Sequence, residues 1–162
     1  MKAVKTFASS TALVLCLGAA SAATAATIAP AGASFTAPGT ITVRSPASLQ
    51  QPVTCNITFT GKVSANGASA SITGATVSGS NSLCSVPQMK NLPWTLTVSS
   101  TTSGTVTGVA FSILSSNCGP GTINASWSNA ANTLSASNQA LSGSCTITSL
   151  SVKPSPAFTV SP

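Results

Sequence analysis

The sequence predicts an all-β domain, a two-sheet sandwich of about eight to ten short strands, with a barrel or jelly roll as the alternative. Three observations lead to this fold class. Segments of alternating apolar and polar residues recur along the chain, and turn-forming Gly, Pro and Asn separate them. No apolar pattern of period 3.6 continues for three helical turns. An even number of cysteines after the first 25 residues predicts that disulfides staple the strands.

Residues 1–25 predict a secretory signal peptide. Two lysines precede the apolar run TALVLCLGAA, and small residues lead to Ala25, after which we place the cleavage; Ala22 is the alternative. A membrane anchor is the competing interpretation, but a span needs about 20 strongly apolar residues and this run thins into Ala, Ser and Thr. We therefore expect one secreted domain, residues 26–162, without a stable membrane span. We expect it in the extracellular medium, and the periplasm and the cell surface are the alternatives.

The first cysteine of this domain begins a predicted hairpin. After Cys55, ITFTGKVS alternates as a half-buried strand does, Asn66-Gly67 supplies a turn, and ASASITGATVSG forms the return strand. The alternation of the return strand changes parity at Gly74. The segment TVTGVAFSIL changes parity in the same way at Gly108. A shift by one residue at a glycine predicts a β-bulge at each place.

The two segments that run from cysteine to cysteine share one order of features. Each contains a strand, an Asn-containing turn and a second strand that ends in similar letters, TVSGSNSLC and ALSGSC. We therefore predict an internal duplication with halves 35–99 and 100–162. Chance similarity in a chain rich in Ser, Thr and Ala is the alternative.

The four cysteines of the domain allow three disulfide pairings by counting alone. A hairpin brings its own outer ends together, which favours Cys55–Cys84 and Cys118–Cys145. Zinc sites use closely spaced cysteines or additional His and carboxylate ligands, so we expect no metal site here.

The alternating strands also predict the core. We place seven large apolar residues there: Trp94, Leu96, Val98, Phe111, Ile113, Trp127 and Phe158. For the two tryptophans, Trp94 and Trp127, core packing is the favoured interpretation, and contact with a ligand is the alternative.

The composition excludes most kinds of chemistry. The chain contains no Asp, Glu, His or Tyr, and an activated serine or a general acid needs a titrating group beside it. We therefore predict that the protein is not an enzyme and binds no cofactor. The cations after the signal segment are scattered: Arg44, Lys62, Lys90 and Lys153. Nucleic-acid binding requires clustered basic residues, so it is not expected either.

Thr-apolar-Thr triplets such as TIT 40–42 and TLT 95–97 recur along the chain. Threonine forms strands well and solubilises an outer face without charge, which is the favoured interpretation. Binding of ice or of a crystalline polymer is a less favoured alternative, because the triplets are unevenly spaced.

Several segments resemble a PraB-like family of secreted bacterial proteins, which is called protein activator of alkane oxidation. The segments are ATIAPAGASFTAPG, CNITFTGKV, LPWTLT, SNCGP and LSGSC, and they span nearly all of the secreted domain. The resemblance implies an accessory protein that promotes bacterial use of long-chain alkanes, and it supplies no catalytic residues.

We therefore expect a non-enzymatic accessory protein that aids contact with, or uptake of, water-insoluble hydrocarbon. The expected partner is a hydrophobic substrate or a cell surface, and the sequence indicates no oligomeric state. The alternative is a structural protein of the cell surface or extracellular matrix, which would assemble through strand edges that few charges protect.

Overall fold

A computed structural model describes residues 25–162, which form eleven β-strands that pair antiparallel throughout. The strands are β1 (Thr27–Ala29), β2 (Ser34–Arg44), β3 (Val53–Val63), β4 (Ser69–Ser78), β5 (Gln88–Lys90), β6 (Trp94–Val98), β7 (Ser103–Ile113), β8 (Ser116–Ser128), β9 (Thr133–Leu141), β10 (Cys145–Val152) and β11 (Thr159–Ser161). Two one-turn 3-10 helices lie in loops, at Pro46–Ser48 and Ser82–Cys84. The all-β prediction is confirmed. The predicted signal segment lies outside the described residues, except for Ala25.

Eight of these strands close into a barrel. Around the barrel the order is β2-β3-β4-β6-β7-β8-β9-β10, and β10 pairs back to β2. Each strand therefore lies beside its neighbour in sequence, apart from the short β5, which pairs with the second half of β7. Of the arrangements named from the sequence, this pairing corresponds to the barrel.

The barrel has two different ends, because successive strands run in opposite directions. The loops after β2, β4, β7 and β9 lie at one end, which we call the open end. The loops after β3, β6, β8 and β10 lie at the other, which we call the closed end. β1 and β11 pair with each other there and form a two-stranded sheet across it.

Both predicted bulges are confirmed by the strand register. Thr60 faces Gly74 and Gly61 faces Ile72, so β4 has one extra residue, Thr73, at this point. In β7 the register shifts between Val106 and Val109, on either side of Gly108. Gly108 has a φ of +81°, a conformation that residues with a Cβ adopt only at a cost. The bulges keep the apolar residues before and after each glycine on the inner face.

The loop between β3 and β4 is longer than the two-residue turn that Asn-Gly favours. Gly67 has a φ of +73°, whereas Asn66 is not among the residues with positive φ. The side-chain oxygen of Asn66 accepts hydrogen bonds from the Ser64 hydroxyl (2.8 Å) and the Ala68 amide (3.1 Å). These side-chain bonds hold the wider loop together, and Gly67 supplies its positive φ.

The inner face of the barrel is apolar. All seven residues placed in the core from the sequence are less than a tenth exposed. Each predicted half supplies four barrel strands and one disulfide, Cys55–Cys84 in the first and Cys118–Cys145 in the second. These are the pairs that the hairpin argument favoured. The duplication itself stays a prediction.

The closed end is filled by the two ends of the described chain. Ile28 of β1 and Val160 of β11 are buried, and the ring of Phe158 meets Phe35 edge-on with centroids 5.1 Å apart. Asn129, in the loop after β8, accepts hydrogen bonds from the Trp127 indole (2.7 Å) and the Val160 amide (2.8 Å), and its own amide donates to the Val160 carbonyl (2.9 Å). Packed rings and an asparagine clamp therefore seal this end.

Candidate functional site

An apolar cavity of about 60 Å³ lies inside the half of the barrel nearer the open end. Phe59, Ile72 and Trp94 line its inner part, and other apolar side chains from most of the barrel strands line the remainder. Ser45 and Ser48, in the loop after β2, are the serines in the lining. A cavity with this lining is expected to stay dry.

The cavity reaches the surface, because several of its lining residues are only half-buried. Ile41 and Val43 of β2, Val77 of β4 and Met89 of β5 all have partly exposed side chains. Each residue occupies an inward-facing position of its strand. Its side chain would be fully covered if the barrel were capped at this end. At the closed end the corresponding positions, such as Phe35 and Val63, are buried.

One wall of the cavity is not continuous sheet. The pairing of β4 with β6 ends where Ile72 faces Trp94, and among the described strands β5 pairs with β7 alone. Residues 79–87 connect β4 to β5, and the Cys55–Cys84 disulfide ties this segment to β3. Leu83 from the segment lines the cavity. A tethered loop, rather than ladder hydrogen bonds, therefore borders this part of the site.

Two leucines project from the rim of the open end. Leu49, in the loop after β2, is 84% exposed, and Leu114, in the turn after β7, is 63% exposed. The order of the strands puts these two loops on opposite sides of the barrel mouth. Both residues lie in the left-handed region, with φ of +51° and +53°. Such a conformation is rare for a bulky side chain and costs about 1 kcal/mol or more.

The loop that carries Leu49 is fastened by hydrogen bonds. The backbone N–H of Gln50 donates to the Ser45 carbonyl (2.9 Å). The side-chain amide of Gln50 donates to the Ser144 carbonyl (3.0 Å) in the loop after β9. The Ser48 hydroxyl lies 2.7 Å from the Gln51 carbonyl oxygen. Leu49 is thus held in its outward position by its neighbours.

The rim is free of charged side chains in all four of its loops, residues 45–52, 79–87, 114–115 and 142–144. Arg44, at the last position of β2, and Lys90, at the last position of β5, are exposed cations near them in the sequence. The whole sequence contains no Asp or Glu, so no side-chain carboxylate can pair with either. The open end therefore presents neutral polar groups and exposed leucines around an apolar cavity.

The full chain, residues 1–162, matches the family described as alkane oxidation protein activator PraA/PraB-like. The chain belongs to this family. No curated protein and no solved structure matches it. The description of this PraA/PraB-like family indicates a role in activating alkane oxidation, and an activator role suggests an accessory protein rather than a catalyst.

The structure separates the two tryptophans that were alternatives for ligand contact. Trp94 is buried at the inner part of the cavity, and its indole donates a hydrogen bond to the Lys90 carbonyl (2.9 Å). Trp127 is buried nearer the closed end, beside Phe158. Of the two, Trp94 lines the cavity and Trp127 does not.

Sequence reasoning did not single out Leu49 or Leu114 in this PraA/PraB-like chain. For Leu49 the available signal was an apolar residue within the polar and turn-forming run SPASLQQP, whereas Leu114 directly follows Ile113 and is the last residue of the segment TVTGVAFSIL. Such a residue is ordinary when it occurs singly on a surface. The significance of these two comes from their sharing one end of the barrel, which depends on the topology.

Residues 25–162 contain no group of three or more His, Cys, Asp or Glu side chains that could hold a metal ion. In the same part of the chain, no helix is long and apolar enough to cross a membrane.

Proposed function

We propose that this protein is an exported, non-enzymatic accessory protein that promotes bacterial alkane oxidation by contacting water-insoluble hydrocarbon through the open end of its barrel. The contact surface consists of Leu49, Leu114 and the half-buried apolar residues at the mouth of the cavity. By adsorbing to hydrocarbon, the protein would aid its contact with cells or its uptake.

The two rim leucines are the observation that carries this proposal. An exposed leucine in a left-handed conformation gains nothing for folding, since it buries little surface and strains the backbone. Against hydrocarbon the same side chain gains about 1.5 to 3 kcal/mol on burial. Its conformation and exposure therefore make sense if the burial occurs on binding.

The neutral rim supports the same function. Transfer of an ionised group from water to an apolar medium costs far more than transfer of a hydroxyl, and the four rim loops contain no ionised side chain. Arg44 has a long side chain that can keep its guanidinium in water while its stem lies along the apolar surface. The open end can thus approach oil without burying a charge.

The residues available at the site support a non-catalytic role. The cavity lining consists of apolar side chains and serines, and the chain contains no His, Asp, Glu or Tyr to serve as a general base or acid. Export is supported by the signal-like segment 1–25 and by the two disulfides, which persist in oxidising compartments.

The test compares a rim variant with a matched control. Leu49→Asn/Leu114→Asn removes both apolar side chains, and asparagine tolerates the left-handed conformation, so the fold should be kept. Leu92→Asn is the control, because Leu92 is 37% exposed on the side of the barrel between β5 and β6. The measurements are the protein concentration that lowers hexadecane–water interfacial tension by half, and growth on hexadecane of a deletion strain complemented with each variant.

We expect the double variant to need at least roughly tenfold more protein than the unmodified chain, from the lost burial of two leucines. The control should behave like the unmodified protein. Unmodified protein that leaves the interfacial tension unchanged and fails to restore growth would refute the proposal. Concentration-dependent assembly into cross-β fibres would instead favour the structural alternative.

A further inference from the structure

We infer that the cavity binds the methyl end of a single unbranched alkyl chain, and that the site therefore selects linear over cyclic hydrocarbon. This inference rests on the proposed function and specifies the substrate class of the same site. The proposed function requires only that the rim adsorbs to oil. The inference adds that one molecule from the oil inserts its end between the strands.

The size of the cavity sets the shape of the ligand. Its volume of about 60 Å³ is less than half that of an engineered apolar cavity of about 150 Å³ that binds benzene. Benzene has six carbon atoms, so at the same cavity volume per carbon atom this cavity accepts about two or three carbons. A ring or a branch point is too large, whereas the end of a linear chain fits and leaves the rest of the chain at the rim.

The lining sets the chemistry of that end. Around the inner part of the cavity, Phe59 and Ile72 offer no hydrogen-bonding group, and the Trp94 indole N–H already donates to the Lys90 carbonyl. A hydroxyl or carboxyl group inserted here would lose its hydrogen bonds to water without replacement. A methyl group loses none. The cavity therefore favours a hydrocarbon end over an oxidised one.

The mouth of the cavity gives such a chain a route. Val43 and Val77 are half-buried on two sides of the opening, and Met89 lies beside residues 79–87, where the wall is a loop rather than paired strand. The rim leucines would hold the barrel mouth against the oil surface. Chain ends at that surface then meet the cavity directly.

Met89 provides a reporter for this insertion, since it lines the cavity and is the single methionine after Met1. Protein labelled with ¹³C at the methionine methyl groups is titrated with n-hexane and, separately, with cyclohexane. We expect n-hexane to shift the Met89 methyl signal in a saturable manner. Cyclohexane should bind at least roughly tenfold more weakly, which corresponds to about two methylene groups that cannot enter. The Trp127 indole signal, from nearer the closed end, should not move with either compound.

A blocking variant tests whether the Met89 shift comes from insertion into the cavity. Val43→Phe fills the mouth from an inward-facing position, and Thr40→Phe is the control, because Thr40 is exposed on the outer face of the same strand. Val43→Phe should abolish the n-hexane shift at Met89. Thr40→Phe should leave that shift unchanged.

The outcomes distinguish the two hypotheses. Unmodified protein that adsorbs to hexadecane but shows no saturable Met89 shift with n-hexane would overturn the inference and leave the proposed function standing. Equal affinity for cyclohexane would overturn the selection of linear chains. If Val43→Phe does not fold, the comparison of the two hydrocarbons on unmodified protein still decides.

Discussion

The asparagine clamp at the closed end leads to a prediction about stability. Asn129→Ala removes three hydrogen bonds at once, those from the Trp127 indole and the Val160 amide and the one to the Val160 carbonyl. Trp127 and Val160 are 6% and 3% exposed, so their polar groups have limited access to water once the partner is gone. The loss should loosen β11, and with it β1, which pairs with β11.

The magnitude follows from those three bonds. A hydrogen bond contributes about 1 kcal/mol net, and a buried group left without a partner costs about 1 to 3 kcal/mol. Asn129 itself is exposed, so water can enter where its side chain was and satisfy part of the deficit. We therefore expect Asn129→Ala to lower the free energy of unfolding by about 2 to 3 kcal/mol.

Urea denaturation with disulfides intact measures this loss, and amide hydrogen exchange at Val160 reports its location. Asn56→Ala is the matched control, since Asn56 is exposed on β3 and no hydrogen bond of its side chain is found within residues 25–162. The control should change the free energy of unfolding by less than about 0.5 kcal/mol. If Asn129→Ala costs no more than the control, the clamp is not what holds the closed end.

Three further predictions concern the covalent links, the strand contacts and the charge composition. Replacing either cysteine pair by serine should lower the free energy of unfolding by about 3.5 kcal/mol in urea denaturation. The two losses should be alike because the disulfides close loops of similar length, with sequence separations of 29 and 27. An unchanged urea midpoint would contradict the loop-entropy argument. Gly39→Ala should destabilise by at least about 3 kcal/mol, since a Cβ there would overlap the Ser151 carbonyl oxygen, whereas Gly32→Ala, at φ +70° with open space, should cost about 1 kcal/mol in the same assay. With no Asp, Glu or His, stability should change by less than about 0.5 kcal/mol between about pH 4.5 and pH 7 in thermal melts, a range that lies between the ordinary pKa values of the chain termini. A steep transition within that range would contradict this expectation.

The local features of the fold were predictable because a strand has a period of two. Alternation identified the inward residues of β3, β4 and β7, and a change of parity located the bulges at Gly74 and Gly108. These features depend on a few neighbouring residues. The hairpins that bring Cys55 to Cys84 and Cys118 to Cys145 are local in the same sense.

Closure of the barrel depends on contacts that no local pattern encodes. The pairing of β10 with β2 joins Leu150 to Ile41, more than a hundred positions apart. A sandwich and a barrel can place the same residues on the inner face, so alternation does not distinguish them. The role of Asn129 was hidden for a similar reason: the asparagine-rich loop predicted a turn, while the bonds of this side chain to Val160 span 31 residues.

The candidate site was not predictable from the sequence, because no turn propensity and no reactive side chain indicates its residues. Turn propensities favour Gly or Asn at left-handed positions, yet the chain has Leu49 and Leu114 there. The cavity likewise comes from side-chain volumes summed over many strands rather than from any single segment. The lack of reactive groups in the sequence argues against catalysis and gives no location for a binding site.

The placement of the disulfides links stability to the proposed function. Both lie at the open end, since Cys55, Cys118 and Cys145 are near the first residues of their strands and Cys84 is in the loop after β4. The closed end is held by buried rings and the asparagine clamp, and it needs no covalent link. A rim that keeps its leucines exposed cannot be stabilised by burying them, and a cross-link supplies rigidity without covering apolar surface. Loss of the Cys55–Cys84 link should therefore weaken binding of n-hexane more than loss of Cys118–Cys145, because the former tethers residues 79–87 against the cavity.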